Sequence, residues 1–143
     1  MFYGYKNVGN IKSVNKEFKG IKTPLDLYDV CMHCWSRETC APRLRPEWSK
    51  KNNTVGQCSI TSFIVQDIFG GEVYGYELPD GAYHCFNVVD GVTFDLTDAQ
   101  FNGTNITVDY KKKIKQEREQ QFASKEKYER YLLLKNLIKN YKK

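Results

Sequence analysis

The order of periodicities along the chain predicts an α+β domain: helical sequence, a run of strands, then helical sequence again. Three features carry that reading. After Thr23-Pro24 the apolar residues Leu25, Tyr28, Cys31 and Trp35 recur at helical spacing. From Cys58 to Phe69 the sequence is apolar on nearly every side. Between Glu72 and Thr97, segments rich in aromatic and β-branched residues are separated by Pro79-Asp80-Gly81 and Asp90-Gly91, which are strong hairpin turns.

In the first helix, Thr23 is a capping residue and Pro24 loses nothing at the first helical position, where its missing N–H has no partner anyway. The helix should stop before Ala41-Pro42, with loop to Pro46. In the second, Ile60, Ile64 and Ile68 form a stripe that Phe63 and Val65 widen, and only Asp67 is charged. Such a helix is central and buried, and Gly70-Gly71 ends it. Glu72 to Leu78, Ala82 to Val89 and Val92 to Thr97 then read as an antiparallel meander. Beyond Phe101 a polar turn around Gly103 leads into helical sequence from about residue 107. Ser124 caps a last helix carrying Tyr128, Tyr131, Leu132, Leu134, Ile138 and Tyr141. The 143 residues fit a single domain, 1–143, with a core over about 23–101 and a helical part over about 107–143.

Composition narrows the class. With 41% hydrophobic and 14% aromatic residues, the chain has too much core material to be disordered. No apolar stretch is long enough to span a bilayer, and Met1 to Asn7 lack the pattern of a secretory signal. The expectation is a cytoplasmic protein with no membrane partner. Five cysteines, an odd number, then favour free thiols over a disulfide framework. The net charge of +5 comes largely from the last third, but Lys111 to Lys113, Lys115 and Arg118 are interleaved with Glu117, Glu119, Glu126 and Glu129. That is a solvated helix surface rather than the unbroken basic stripe of a nucleic-acid partner.

Cys58 follows Gly56-Gln57 at the first turn of the buried helix. The unpaired N–H groups and positive dipole end there favour a thiolate, and the same N–H groups, that of Cys58 included, can hold a developing oxyanion. Gly56 permits close approach of substrate and backbone. Strand alternation puts His84, Phe86 and Val88 on one face, with Cys85 and Asn87 on the other. A two-residue turn at Asp90-Gly91 sets Val89 against Val92 and Phe86 against Asp95, so Asp95 lies diagonal to His84 on the same face. A carboxylate inside the apolar run Val92-Thr93-Phe94-Asp95-Leu96 needs a partner, and His84 is available. Nucleophile, base and orienting group together make the thiol version of a catalytic triad. Two of the three also have a plain structural reading: a core thiol for Cys58, and a turn cap for Asp95.

A weaker alternative is a metal site. Cys31, His33, Cys34 and Cys40 are the right ligand types for zinc, at a spacing unlike most zinc modules. Tyr74, Tyr76 and Tyr83, near the strand turns, either line a groove or pack.

Trp35-Ser36-Arg37-Glu38-Thr39, Trp48-Ser49, Gly56-Gln57-Cys58-Ser59-Ile60-Thr61, Val65-Gln66-Asp67 and Phe69-Gly70-Gly71-Glu72, followed by His84-Cys85-Phe86-Asn87 and Phe94-Asp95-Leu96-Thr97, resemble the YunG-like family of small bacterial proteins over roughly residues 34–101. The resemblance implies a papain-like or transglutaminase-like fold, whose enzymes share the order Cys, His, Asp. It also implies an oxyanion donor at Asn52, six residues before Cys58, where papain-like enzymes place a Gln. Asn53-Thr54 departs from the Asn-Pro expected of the family there. Gln57 and Trp48 are the other candidates for lining the cleft.

The functional expectation is a cysteine hydrolase or acyltransferase acting on a peptide or a small amide, isopeptide or thioester, with no cofactor. The alternative is a catalytically silent binding module, for example of the immunity type, on the same fold.

Overall fold

The computed structural model describes residues 1–142; Lys143, the last of the basic C-terminal run, lies outside them. The architecture is α+β, with a four-stranded antiparallel sheet and helices. Helix α1 spans Pro24–Cys34 and α2 spans Cys58–Phe69. Strands β1 (Glu72–Glu77), β2 (Tyr83–Val89) and β3 (Val92–Phe94) follow. After them come β4 (Ile114–Lys115), the single turn α3 (Arg118–Gln121) and α4 (Lys125–Asn140). The strand order is β3-β2-β1-β4.

Helix α2 has the predicted bounds and is buried at Ile60 to Val65, Ile68 and Phe69. It ends where Gly70, at φ 80°, donates its N–H to Gln66 O at 2.9 Å. The most buried face of α1 is Leu27, Val30, Cys31 and Cys34, whereas Leu25 and Tyr28 only flank the core, so the helix is rotated from the predicted stripe. Its first turn is closed by Asp26, whose Oδ2 accepts from Lys22 N at 2.9 Å and Thr23 N at 3.1 Å. The hairpin register agrees with the sequence reading: Val89 faces Val92, Val88 faces Thr93 and Asn87 faces Phe94. Asp90 (φ 52°) and Gly91 (φ 76°) supply the left-handed turn.

Three expectations need correction. Strand β3 stops at Phe94 because Asp95 donates its N–H to Tyr3 O at 3.0 Å, pairing with the N-terminal segment instead of continuing along β2. That segment belongs to the core: Phe2, Val8, Ile11, Phe18 and Ile21 are buried in the cluster that also takes in Tyr131, Leu134 and Ile138. The stretch from 107 to 117 is not helical; it carries β4, which pairs with β1 through Tyr74↔Lys115 and Gly75↔Ile114.

Helix α4 is fastened to α2 by charge. Asp67, the one charged residue of α2, accepts from Arg118 Nη2 at 2.8 Å, from Lys135 Nζ at 3.3 Å and from the Tyr131 hydroxyl. Arg118 also donates to Phe63 O at 3.1 Å and lies over the rings of Phe63, Phe122 and Tyr131. Removing the shared acceptor strands several half-buried donors. Asp67→Ala should therefore cost about 1–3 kcal/mol, read as a lower urea midpoint in equilibrium unfolding with an unchanged slope.

Candidate active site

The first turn of α2 presents Cys58 and Ser59 to a cleft of about 530 Å³. No side chain caps this helix start, so its leading N–H groups have no intrahelical acceptor and remain available. The residues just before it are held from below. Gln57 is fully buried; its Oε1 accepts from the Thr39 hydroxyl at 2.8 Å and its Nε2 donates to Ser36 O at 3.0 Å. The buried Arg130 of α4 in turn donates to Thr39 O at 3.0 Å and pairs with Glu126. Gly56 sits at φ 72°, and a Cβ there would run into Cys40 Sγ and lie 2.8 Å from Ala41 N. Its smallness therefore serves the packing of its own backbone against the 40–41 loop, besides bordering the cleft.

His84, on β2, is fully buried, and its Nε2 lies 2.6 Å from Asp95 Oδ2, itself 1% exposed. Asp95 is saturated: Oδ1 accepts from Thr97 N at 3.1 Å and the Thr97 hydroxyl at 3.3 Å, and Oδ2 also accepts from the Tyr110 hydroxyl at 2.8 Å. With Nε2 engaged, Nδ1 is the ring nitrogen left for other partners, and it lies 3.2 Å from the Gln100 amide nitrogen. Phe101 packs edge-on against the imidazole, centroids 4.7 Å apart. Both His84 and Gln100 line the cleft beside Cys58.

The electrostatics separate Cys58 from the other thiols. Its pKa is pushed well below the ordinary thiol range, first by a hydrogen bond with the Cys85 thiol and then by the hydrogen bond and charge of His84, which together outweigh burial. Cys85 moves the opposite way, through the same thiol contact and its own burial. Burial likewise pushes up Cys31, Cys34 and Cys40. Burial also acts to lower His84, but the Asp95 carboxylate, with the hydrogen bond to Cys58, carries its pKa up to about 10. Opposite shifts in a touching acid and base are the condition for a thiolate–imidazolium pair.

The structure thus brings Cys58, His84 and Asp95 together and leaves the oxyanion candidates aside. Gln57 is a buried strut. Asn52 is exposed and occupied in a turn, its N–H donating to Ser49 O at 3.0 Å. Trp48 donates its indole N–H to Asn53 O at 3.0 Å under the Arg37 guanidinium. None of the three lines the cleft. The suggested metal ligands do not converge either: Cys31, Cys34 and Cys40 are buried, His33 is exposed and stacks on Tyr141, and among the described residues no group of three His, Cys, Asp or Glu forms a metal site. Of the three tyrosines, Tyr83 alone borders this cleft. Sequence reasoning missed Gln100, Phe101 and Tyr110. The polar Thr97-Asp98-Ala99-Gln100 turn was a visible signal for the first two; nothing local marks Tyr110.

A family model described as "YunG protein" matches residues 23–143. The chain belongs to the YunG family. It is 31% identical over 72 residues to the Bacillus subtilis (strain 168) protein named "Uncharacterized protein YunG", a match covering 50% of this chain and 57% of that relative, so little more than half of the relative's length is spanned. No solved structure matches the chain. The YunG match takes in Cys58, His84, Asp95, Gln100 and Tyr110 and leaves out the N-terminal segment that carries Tyr3.

Asp98 flanks this site and is held up to about 6 by burial and by the neighbouring Asp95 charge. The folded state therefore keeps the Asp98 proton that the unfolded chain releases around its ordinary 3.8. Stability from this group is complete below that value and is lost as the pH rises to about 6. Asp98→Asn should raise the melting temperature by a few degrees at pH 7.5 and leave it unchanged near pH 3.5, a difference that calorimetry at the two pH values checks.

Proposed function

We propose that this protein is a cysteine-dependent hydrolase or acyltransferase of papain-like or transglutaminase-like type. The observation that carries the reading is the placing of His84, held by Asp95 at 2.6 Å through Nε2 and lining, together with Cys58, one accessible cleft.

The steps follow from those contacts. Asp95 fixes the ring with its Nε2 proton directed at the carboxylate and supports the imidazolium. The Cys58 thiolate attacks the carbonyl carbon of an amide, isopeptide or thioester, and the carbonyl electron pair moves onto oxygen. The N–H groups of Cys58 and Ser59, at the uncapped helix start, are the donors suited to hold that oxygen. As the intermediate collapses, His84 gives its Nδ1 proton to the leaving amine or thiolate, leaving an acyl-thioester on Cys58. Neutral His84 then takes a proton from the incoming water or amine as it attacks the acyl carbon, and the C–S bond breaks to return the Cys58 thiolate; which nucleophile enters decides between hydrolysis and transfer. The Gln100 amide on the cleft side donates to Thr97 O at 3.1 Å, and it can donate to Nδ1 only in the neutral form of His84 that follows proton transfer. No step requires a cofactor. A silent binding module has no need of a lowered thiol beside a raised imidazole, so the catalytic reading is preferred.

Alkylation by iodoacetamide, followed cysteine by cysteine by mass spectrometry across pH 5–9, tests the pair. At pH 6 Cys58 should react at least about tenfold faster than a thiol of ordinary pKa near 8.5, and His84→Ala should abolish the advantage. A Cys58 that titrates as an ordinary thiol would sink the proposal. Tyr110→Phe, which removes one donor from Asp95, should weaken the low-pH reactivity by a smaller factor while leaving the fold intact by circular dichroism.

A further inference from the structure

The charges around the cleft are unbalanced. Arg43, Glu126, Lys127 and Arg130 all border it. Glu126 and Arg130 neutralise each other, since the Arg130 guanidinium, 7% exposed, is paired with the Glu126 carboxylate. Lys127 is different. Its Nζ donates to the neutral Gln121 Oε1, and among the described residues it forms no ion pair with a carboxylate. Its position is fixed by the start of α4, where its own N–H is taken by the Ser124 cap at 3.2 Å. Arg43 stands at the rim, with a loose pair to the exposed Asp80 at 3.5 Å. Part of the remaining wall is apolar, with Pro42, Leu44 and Leu78.

A half-buried ammonium facing a cleft without a counter-ion is a site for an anion. It lines the same cleft as Cys58. We infer that the acyl compound attacked by Cys58 carries a carboxylate close to its reacting carbonyl, received by Lys127 with Arg43 at the entrance, and an aliphatic part that packs against Leu44 and Leu78. The inference rests on the thiol reading given above and adds the substrate class: an amide or thioester of an acidic acyl group, in preference to a neutral or cationic one.

Iodoacetate and iodoacetamide probe this directly, because they alkylate the same sulfur and differ chiefly in carrying a carboxylate or a neutral amide. The ratio of their rates at Cys58 cancels the thiolate fraction and reports only the pull on the anionic group. The His84 imidazolium contributes equally in all variants, so the change at Lys127 is decisive. Lys127→Met should lower the iodoacetate-to-iodoacetamide ratio by up to about fivefold, the size of a contact-range unit-charge interaction in water. Lys127→Arg should restore most of the ratio, and 1 M salt should shrink the wild-type preference. Equal slowing of both reagents in Lys127→Met would mean that Lys127 serves only the thiolate, and would overturn the carboxylate inference. So would an unchanged ratio with fast iodoacetamide reaction, which leaves the nucleophile reading standing. Slow reaction of wild-type Cys58 with both reagents would instead overturn the nucleophile reading and this inference with it.

Discussion

The buried pair of His84 and Asp95 is the constraint around which the sheet side of the molecule is arranged. An imidazole and a carboxylate with almost no exposure are tolerated only if every polar atom is satisfied. Breaking such a pair from one side costs about 3–5 kcal/mol. The chain meets this demand by leaving regular structure at the right point. Strand β3 ends at Phe94, the Asp95 backbone is taken over by Tyr3, and its carboxylate gathers Thr97, His84 and Tyr110. Tyr3 and Tyr110 then stack at 4.0 Å, closing a lid of side chains over the acid. The same departure from the sheet brings Gln100 and Phe101 to the imidazole. A straight continuation of β3 would have paired Asp95 with Phe86 and left no chain to cover the histidine.

A second set of contacts fixes the other half of the site. Helix α4 is tied to α2 where Tyr131 and Lys135 meet Asp67, and through Arg130 to the loop at Thr39 that holds Gln57. The start of α2 is therefore set by long-range side-chain bonds and by Gly56, not by a local cap. This has a chemical consequence: a Ser, Thr or Asp cap would consume N–H groups that the proposed chemistry would use for an oxyanion. The stability a cap would give is supplied from α4, and the helix terminus stays open beside Cys58.

Much of this was legible locally. The bounds of α2, the Asp90-Gly91 turn and the Val89↔Val92 register follow from apolar periodicity and from turn residues that tolerate positive φ. The register alone carries Asp95 to the His84 face. What was not legible depends on partners far away in sequence. Asn52 stands at a suggestive offset from Cys58, but the 49–52 turn uses its backbone and keeps it exposed. Gln57 is adjacent to the cysteine, yet Thr39 and Ser36 turn its amide inward. Polar N-terminal sequence hid Phe2, Val8 and Ile11, isolated apolar residues without a period, although all are core. Strand β4, at two residues, is too short for any alternation to register.

The five thiols show how environment, not residue type, sets the chemistry. Burial holds Cys31, Cys34 and Cys40 in the thiol form, and Cys85 is held there first by Cys58 and then by burial. Cys58 meets a similar desolvation cost, but the His84 imidazole and the Cys85 thiol act on it in the opposite direction, at an open helix terminus. Cys85 matters to this difference in an unexpected way. Strand alternation reads it as core, and it is 1% exposed, yet its contact with Cys58 lowers one thiol as it raises the other. Of these two sulfurs, the one whose pKa is lowered is the one that borders the cleft.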